Sequence, residues 1–220
     1  MQGHSLGHQV KVKPNVDLTD VRVSVGPLKH ENENSYIDPY WVAYHFVDYV
    51  KLEANSVATP PDELVWKAPA EYPDALSDDR ARDLPAGRLQ PIYIRVTAKN
   101  GDRCRPGLYT GTGTVWSPQG SASFTLSVRV EPVALPDKPR LKFVYWSSWD
   151  DPAKALGAAP DSEDRWRVLA RQGELMRAHH QNSVVVPAGL ARPFKRPDGT
   201  LLFDWTAFDR YIKVFQDQGV

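Results

Sequence analysis

Between residues 132 and 149, PVALPDKPRLKFVYWSSW, the period of the sequence changes. Upstream, apolar residues recur at every second position. Downstream they recur at helical spacing, around a further short apolar run at residues 184–186. Pro132, Pro136 and Pro139 lack an amide donor and have a fixed φ, which suits an extended connector and suits neither a helix nor a central strand. Residues 141–146 then form a short, mostly apolar run, and its alternation with helical patterns is the rhythm of βαβ units on a parallel sheet. A chain of 220 residues can hold one large domain or two ordinary ones. The change of period argues for two: an all-β module over residues 1–135 and the opening of an α/β module over residues 136–220.

The upstream half reads as half-buried strands. Val10 and Val12 alternate with lysines, Val21, Val23 and Val25 with Arg22 and Ser24, and Ile92, Ile94 and Val96 share one parity. Residues 40–50, YWVAYHFVDYV, carry aromatics at both parities, which predicts a strand covered on both sides or lying beside a second domain. Residues 53–89, rich in Pro, Asp and Ala, predict long loops with one short strand. Residues 108–116 and 122–130 predict a hairpin across Ser117-Pro118-Gln119-Gly120, with a loop slightly longer than the tightest kind. Phe124, Leu126, Val128 and Val130 then face the core. Gly111 and Gly113, alternating with threonines, mark strand positions where another backbone or an aromatic ring lies close. Short antiparallel strands with Gly and Pro turns predict a β-sandwich of immunoglobulin-like architecture.

Downstream, Ser162 is a candidate N-cap followed by Glu163 and Asp164, where the helix dipole favours negative charge. Trp166, Leu169, Ala170, Gly173 and Met176 form that helix's apolar stripe. A strand is expected at residues 183–186 and a turn at residues 197–200 between two extended pieces. Asp204 is expected to cap a second helix with a stripe of Trp205, Phe208, Ile212 and Phe215, ended by Gly219.

Composition narrows the functional classes. With 41% hydrophobic and 25% charged residues the chain can build a core, and a formal net charge of zero, without a basic stripe, argues against nucleic acid as a partner. No stretch approaches a membrane span, and the first residues show no leader, so no membrane partner is expected. Cys104 is the only cysteine. That excludes an intrachain disulfide and a thiolate zinc cluster, and leaves the compartment and the oligomeric state open.

Few residues offer chemistry. His179 and His180 are sequence neighbours and point about 100° apart on a helix, which favours a structural or surface role. His4, His8, His30 and His45 lack partners at ligand spacing, so no metal or cofactor is expected. Arg103 and Arg105 flank Cys104 and would lower its pKa if it were exposed, but no partner histidine is identifiable. Glycoside cleavage usually needs two acidic groups across the scissile bond. Asp150 and Asp151 follow Trp149 directly, and being adjacent and followed by Pro152 they read as caps of a loop or short helix. Trp146 and Trp149, at the end of the first α/β strand, either stack on a sugar face or pack in the mouth of the fold.

The hairpin PGLYTGTGTVWSPQGSASFTLSVRVEPVALPDKPRLKF, the aromatic strand end FVYWSSW and the phrase DGTLLFDWTAFDRYIKVFQDQGV together resemble glycoside hydrolases of family 123, which include β-N-acetylgalactosaminidases. The resemblance implies a β-sandwich followed by a (β/α)8 barrel, a secreted or periplasmic location and a carbohydrate substrate. It also implies substrate-assisted hydrolysis, in which the sugar's 2-acetamido group attacks the anomeric carbon and an adjacent Asp-Glu pair polarises it and supplies the acid and base. The Asp-Glu dipeptide here, Asp62-Glu63, lies among the strands of the first module and does not match that pair in context, so no catalytic residue is carried over. A barrel takes roughly 200 residues or more, far more than residues 136–220 provide. The expectation is therefore the first βα units of an incomplete barrel, inactive alone, with Trp146 and Trp149 as substrate-binding residues. The competing expectation is a non-catalytic carbohydrate-binding or structural β-sandwich module.

Overall fold

The computed structural model describes residues 3–99, 104–136, 139–145, 151–160 and 162–220. The chain divides into two compact units, Met1–Leu135 and Pro136–Val220.

The first unit contains strands β1 (His4–Val12), β2 (Leu18–Val25), β3 (Leu28–His30), β4 (Tyr36–Ile37), β5 (Val42–Leu52), β6 (Ala70–Ser77), β7 (Arg82–Leu84), β8 (Gln90–Ala98), β9 (Gly107–Ser117) and β10 (Gly120–Val130). One antiparallel sheet runs β1-β8-β5-β6; in the other, β9 is flanked by β10 on one side and by β2 and β3, end to end, on the other. Alternation decides what is inside. Ile92, Ile94, Val96 and Ala98 of β8 are buried while Tyr93, Arg95 and Thr97 between them are partly exposed. They share a core with Phe46 of β5, Val21 and Val23 of β2, Tyr109 and Val115 of β9, and Leu126, Val128 and Val130 of β10. Each such side chain contributes about 1.5–3 kcal/mol on burial, so this shared core holds the two sheets together.

The glycines of β9 sit where close approach is needed. A Cβ on residue 111 would lie 2.8 Å from the Pro27 carbonyl oxygen, where β2 gives way to β3, and one on residue 113 would lie 2.1 Å from Phe124 Cζ. The hairpin is tighter than the sequence suggests. Ser117 pairs with Gly120, leaving Pro118 and Gln119 as the loop, and Gly120 takes a φ of +151° that a side chain would resist.

Two other expectations are corrected. Residues 53–89 hold two strands, β6 and β7, where one was expected. Pro73 is tolerated in β6 because that strand is the outer one of its sheet, and β6 meets β5 across a bulge between Val47 and Tyr49. Tyr40 and Trp41 belong to a 3-10 turn, Pro39–Trp41, ahead of β5; consecutive burial on both faces is confined to Phe46 and Val47.

The second unit contains β11 (Val144–Tyr145), α1 (Asp151–Ala155), α2 (Glu163–Ala178), β12 (Ser183–Val184), β13 (Arg192–Lys195), β14 (Leu201–Asp204) and α3 (Thr206–Asp217). β11 and β12 are parallel, with α1 and α2 between them in sequence, and β13 and β14 form an antiparallel hairpin. Ser162 caps α2 by accepting from the Arg165 amide. The helix ends with His180 in the left-handed region, φ +58°, while the Gln181 amide reaches back to the Met176 carbonyl at 2.9 Å. Leu169 and Met176 of α2 pack with Leu190 and with Tyr211 and Phe215 of α3, with Trp166 and Phe208 at the margin. The buried stripe of α3 therefore runs through Tyr211 and Phe215. Trp205, expected in it, occupies the N-cap position and is 48% exposed. Of the strand expected at residues 183–186, Ser183 and Val184 pair among the described residues.

Candidate functional site

Because β11 and β12 are parallel, with Tyr145 opposite Val184, their carboxyl ends open on the same side. In parallel α/β folds that is where ligand sites form, on the loops that follow the strands. The loop after β11 contains Trp146, Trp149 and Asp150, which lie outside the described residues. The loop after β12 passes through a 3-10 turn, Ala188–Leu190, and then forms the whole β13–β14 hairpin before α3 begins.

That hairpin is pinned at its tip, where the Asp198 carboxylate accepts from the Thr200 amide at 2.9 Å and the Arg196 amide donates to the Thr200 carbonyl at 2.9 Å. Its base forms an open cleft of about 600 Å³ lined by Arg192, Pro193, Phe194, Phe203, Asp204 and Trp205. Phe194 and Phe203 are about as exposed as Trp205. The Phe203 and Trp205 rings lie 5.8 Å apart, and Trp205 meets Phe208 edge to face at 5.1 Å. Phe208 is partly buried against the helical core, so the exposed rings rest on a fixed support.

Asp204 is the carboxylate of this cleft. It accepts from the Thr206 hydroxyl at 2.6 Å and the Thr206 amide at 3.0 Å. These bonds, helped by the nearby Arg192 charge, hold its carboxyl below the usual carboxylate range. Asp204 thus fastens the start of α3 from one position ahead of the N-cap. An acid held ionised accepts hydrogen bonds at neutral pH and is a poor proton donor. The arrangement suits recognition: aromatic faces for the apolar face of a sugar ring, and a fixed acceptor for a hydroxyl.

The other residues singled out by sequence do not join this cleft. Asp151 opens α1 on the surface, and Asp62 and Glu63 form an exposed 3-10 turn, Pro61–Glu63, of the first unit. His179 and His180 terminate α2. His30 accepts from the amides of Asn32 and Glu33 at 3.1 Å each through Nδ1, and its Nε2 donates to the Pro106 carbonyl at 3.0 Å. Cys104 is buried, and burial pushes its thiol pKa up, the opposite of the lowering expected for an exposed thiol. Among the described residues no group of three His, Cys, Asp or Glu could hold a metal ion, and no helix is long and apolar enough to cross a membrane. Phe194, Phe203 and Trp205 were missed as surface residues. The predicted turn at residues 197–200 between two extended pieces was the available signal, since two strands that pair only with each other among the described residues must show a face to solvent.

No protein family model matches the sequence, and no curated protein sequence matches it. Solved structures do resemble the chain. A family 123 glycoside hydrolase from Clostridium perfringens, described in connection with glycolipid glycan hydrolysis, superposes with a TM-score of 0.80 at 16% identity, over 99% of this chain and 40% of that one. A human ASH / PapD-like domain superposes over 60% of this chain and 77% of its own with a TM-score of 0.28 at 13% identity, too loosely to bear on the fold. The chain spans about two fifths of the length of the glycoside hydrolase. The likeness is one of fold.

Proposed function

We propose that this chain is the N-terminal part of a glycoside hydrolase acting on N-acetylhexosamine-containing glycans. In this reading residues 1–135 are an immunoglobulin-like β-sandwich domain and residues 136–220 are the first βα units of a (β/α)8 catalytic barrel. The observation that carries it is the superposition on a family 123 glycoside hydrolase over 99% of the chain. The parallel β11–β12 pair with intervening helices is the local geometry such a barrel repeats.

The barrel's active site is assembled from loops of all eight strands, so the two loops here supply one wall of it. Trp146 and Trp149 form the part of that wall after β11, and Phe203 and Trp205 the part after β12, each offering a ring to a sugar face. The acid pair that polarises the acetamide and protonates the leaving oxygen belongs to other loops of the whole protein. The 220-residue chain by itself is then inactive, since positioned acid–base groups typically contribute 10²–10⁴-fold each.

Hydrolysis of an aryl N-acetyl-β-galactosaminide tests the proposal. The expected result is no turnover by the 220-residue chain and turnover by a protein carrying further βα units after residue 220, with KM raised by Trp149→Ala or Trp205→Ala. Turnover by the 220-residue chain that disappears in Asp150→Asn or Asp151→Asn would overturn it, because those carboxylates would then be catalytic.

A further inference from the structure

A second groove lies in the first unit, between the β3–β4 turn and the end of β8. It encloses about 1300 Å³ and is distinct in sequence and in unit from the cleft on the β13–β14 hairpin. Its most exposed ring is that of Tyr40, 80% accessible, yet the backbone beneath it is fixed. The Asp38 carboxylate accepts from the Tyr40 amide at 2.8 Å, the Asp38 carbonyl accepts from the Trp41 amide at 2.9 Å, and Pro39 fixes the residue between. The Tyr40 and Trp41 rings meet edge to face at 4.8 Å and 87°, and the Lys99 ammonium sits 4.0 Å above the Trp41 ring. One Trp41 face is therefore covered from within the chain, while the Tyr40 face is open. Tyr36, on β4, is the second open ring at 56% exposure.

Among the described residues the charged lining is balanced: Glu33, paired with Arg105 at 2.9 Å, and Asp38 and Lys99, two acids and two bases. A groove that recognised a polyanion would carry an excess of bases. This one offers open aromatic faces beside a polar lining whose described charges are equal in number, which is the complement of an uncharged polyhydroxylated ring. The rigid backing of Tyr40 lowers the ordering cost of binding.

We propose that this groove is a glycan-binding site that holds a neutral pyranose against Tyr40. The choice of a sugar rests on the glycoside hydrolase reading above; the location rests on the groove alone. The sugar's C–H face stacks on Tyr40, and its hydroxyls exchange hydrogen bonds with Asp38 and Lys99.

Calorimetric titration of the full chain with an N-acetylgalactosamine-terminated oligosaccharide tests this, with folding of each variant checked by its thermal melt. Tyr40→Ala is expected to weaken binding by about tenfold, Tyr40→Phe to leave it near wild type, and Trp116→Ala, exposed on β9 and outside the groove, to leave it unchanged. Wild-type affinity in a folded Tyr40→Ala overturns the groove as the site. Binding that is lost in Trp205→Ala and kept in Tyr40→Ala overturns it too, while leaving the hydrolase reading standing. Absence of binding by the wild-type chain overturns the groove for this sugar class; the hydrolase reading is judged separately, by turnover in the longer protein.

Discussion

Phe124 occupies the space that a side chain on residue 113 would need. The two residues are paired across the β9–β10 ladder, and a Cβ on residue 113 would fall 2.1 Å from Phe124 Cζ. The β9 glycine and the β10 aromatic are thus one packing unit, the ring lying over the bare backbone of its neighbour.

That relationship predicts a non-additive mutant cycle. Gly113→Ala should destabilise by about 1–3 kcal/mol because the ring must move, and Phe124→Ala by about 2–3 kcal/mol, less than the roughly 3–5 of a fully buried aromatic because Phe124 is only half-buried. The double variant should lose less than the sum. Gly111→Ala meets the Pro27 carbonyl, a backbone atom, so Phe124→Ala should not relieve it. Thr125→Ala, on the wet face, should be mild. Strict additivity for residues 113 and 124 in thermal melts would show that the ring is not where the ladder puts it.

How much of this was legible beforehand varies with the physics. The register of Phe124, Leu126, Val128 and Val130 and the role of Gly111 and Gly113 follow from strict alternation on a half-buried face, which leaves one solution. β6 was not legible, because Pro73 and a bulged edge erase the alternation that marks a strand. On α3 the spacing of Trp205, Phe208, Ile212 and Phe215 is helical, but spacing does not say where the core ends. The first turn projects past Tyr211, which leaves Trp205 exposed for the cleft. Trp146 and Trp149, the aromatics chosen from sequence, fall outside the described residues.

Cys104 should be chemically silent in the native chain. It is 3% exposed, and burial keeps the thiol protonated well into the alkaline range, while only the thiolate reacts. Ellman's reagent should label it slowly in buffer and fully in guanidinium chloride. Immediate labelling of the native protein at pH 8 would mean that its surroundings open.

Acid should weaken a defined set of contacts. Asp79 beside Arg82, Glu163 beside Arg210, Asp198 beside Thr200 and Asp204 beside Thr206 all have carboxyls below their ordinary values. Each binds protons less readily folded than unfolded, so its contribution is present above the ordinary carboxylate values, 3.8 for Asp and 4.5 for Glu, and fades as pH falls through the lower folded value. The melting point of Glu163→Gln should lie below wild type at pH 7 and converge on it at strongly acidic pH. A gap that stays constant throughout would assign the effect to something other than the Arg210 pair.

Amide exchange should separate the two units. The β9–β10 ladder continues through eleven paired positions, from Gly107–Val130 to Ser117–Gly120, whereas β11 and β12 pair at two among the described residues. Exchange at Tyr109, Val115, Leu126 and Val128 should approach the global limit, and exchange at Val184 should be much faster. Comparable protection at Val184 and Val128 would contradict this ordering.

The β11–β12 pairing, two rungs among the described residues, also bears on the order in which the second unit is built. Val144 and Ser183 meet only after α1, α2 and the turn at His180 have brought them together, so loop-closure entropy is spent before either hydrogen-bonded rung forms. The contacts of Leu169 and Met176 with Tyr211 and Phe215 close a segment of similar length, but their helices form locally and the closure is offset by a buried apolar cluster rather than by two rungs. In kinetic terms, substitutions at Leu169 or Phe215 should slow folding and substitutions at Val144 or Val184 should chiefly speed unfolding, which makes the helix pair the nucleus and the parallel strands its latest product.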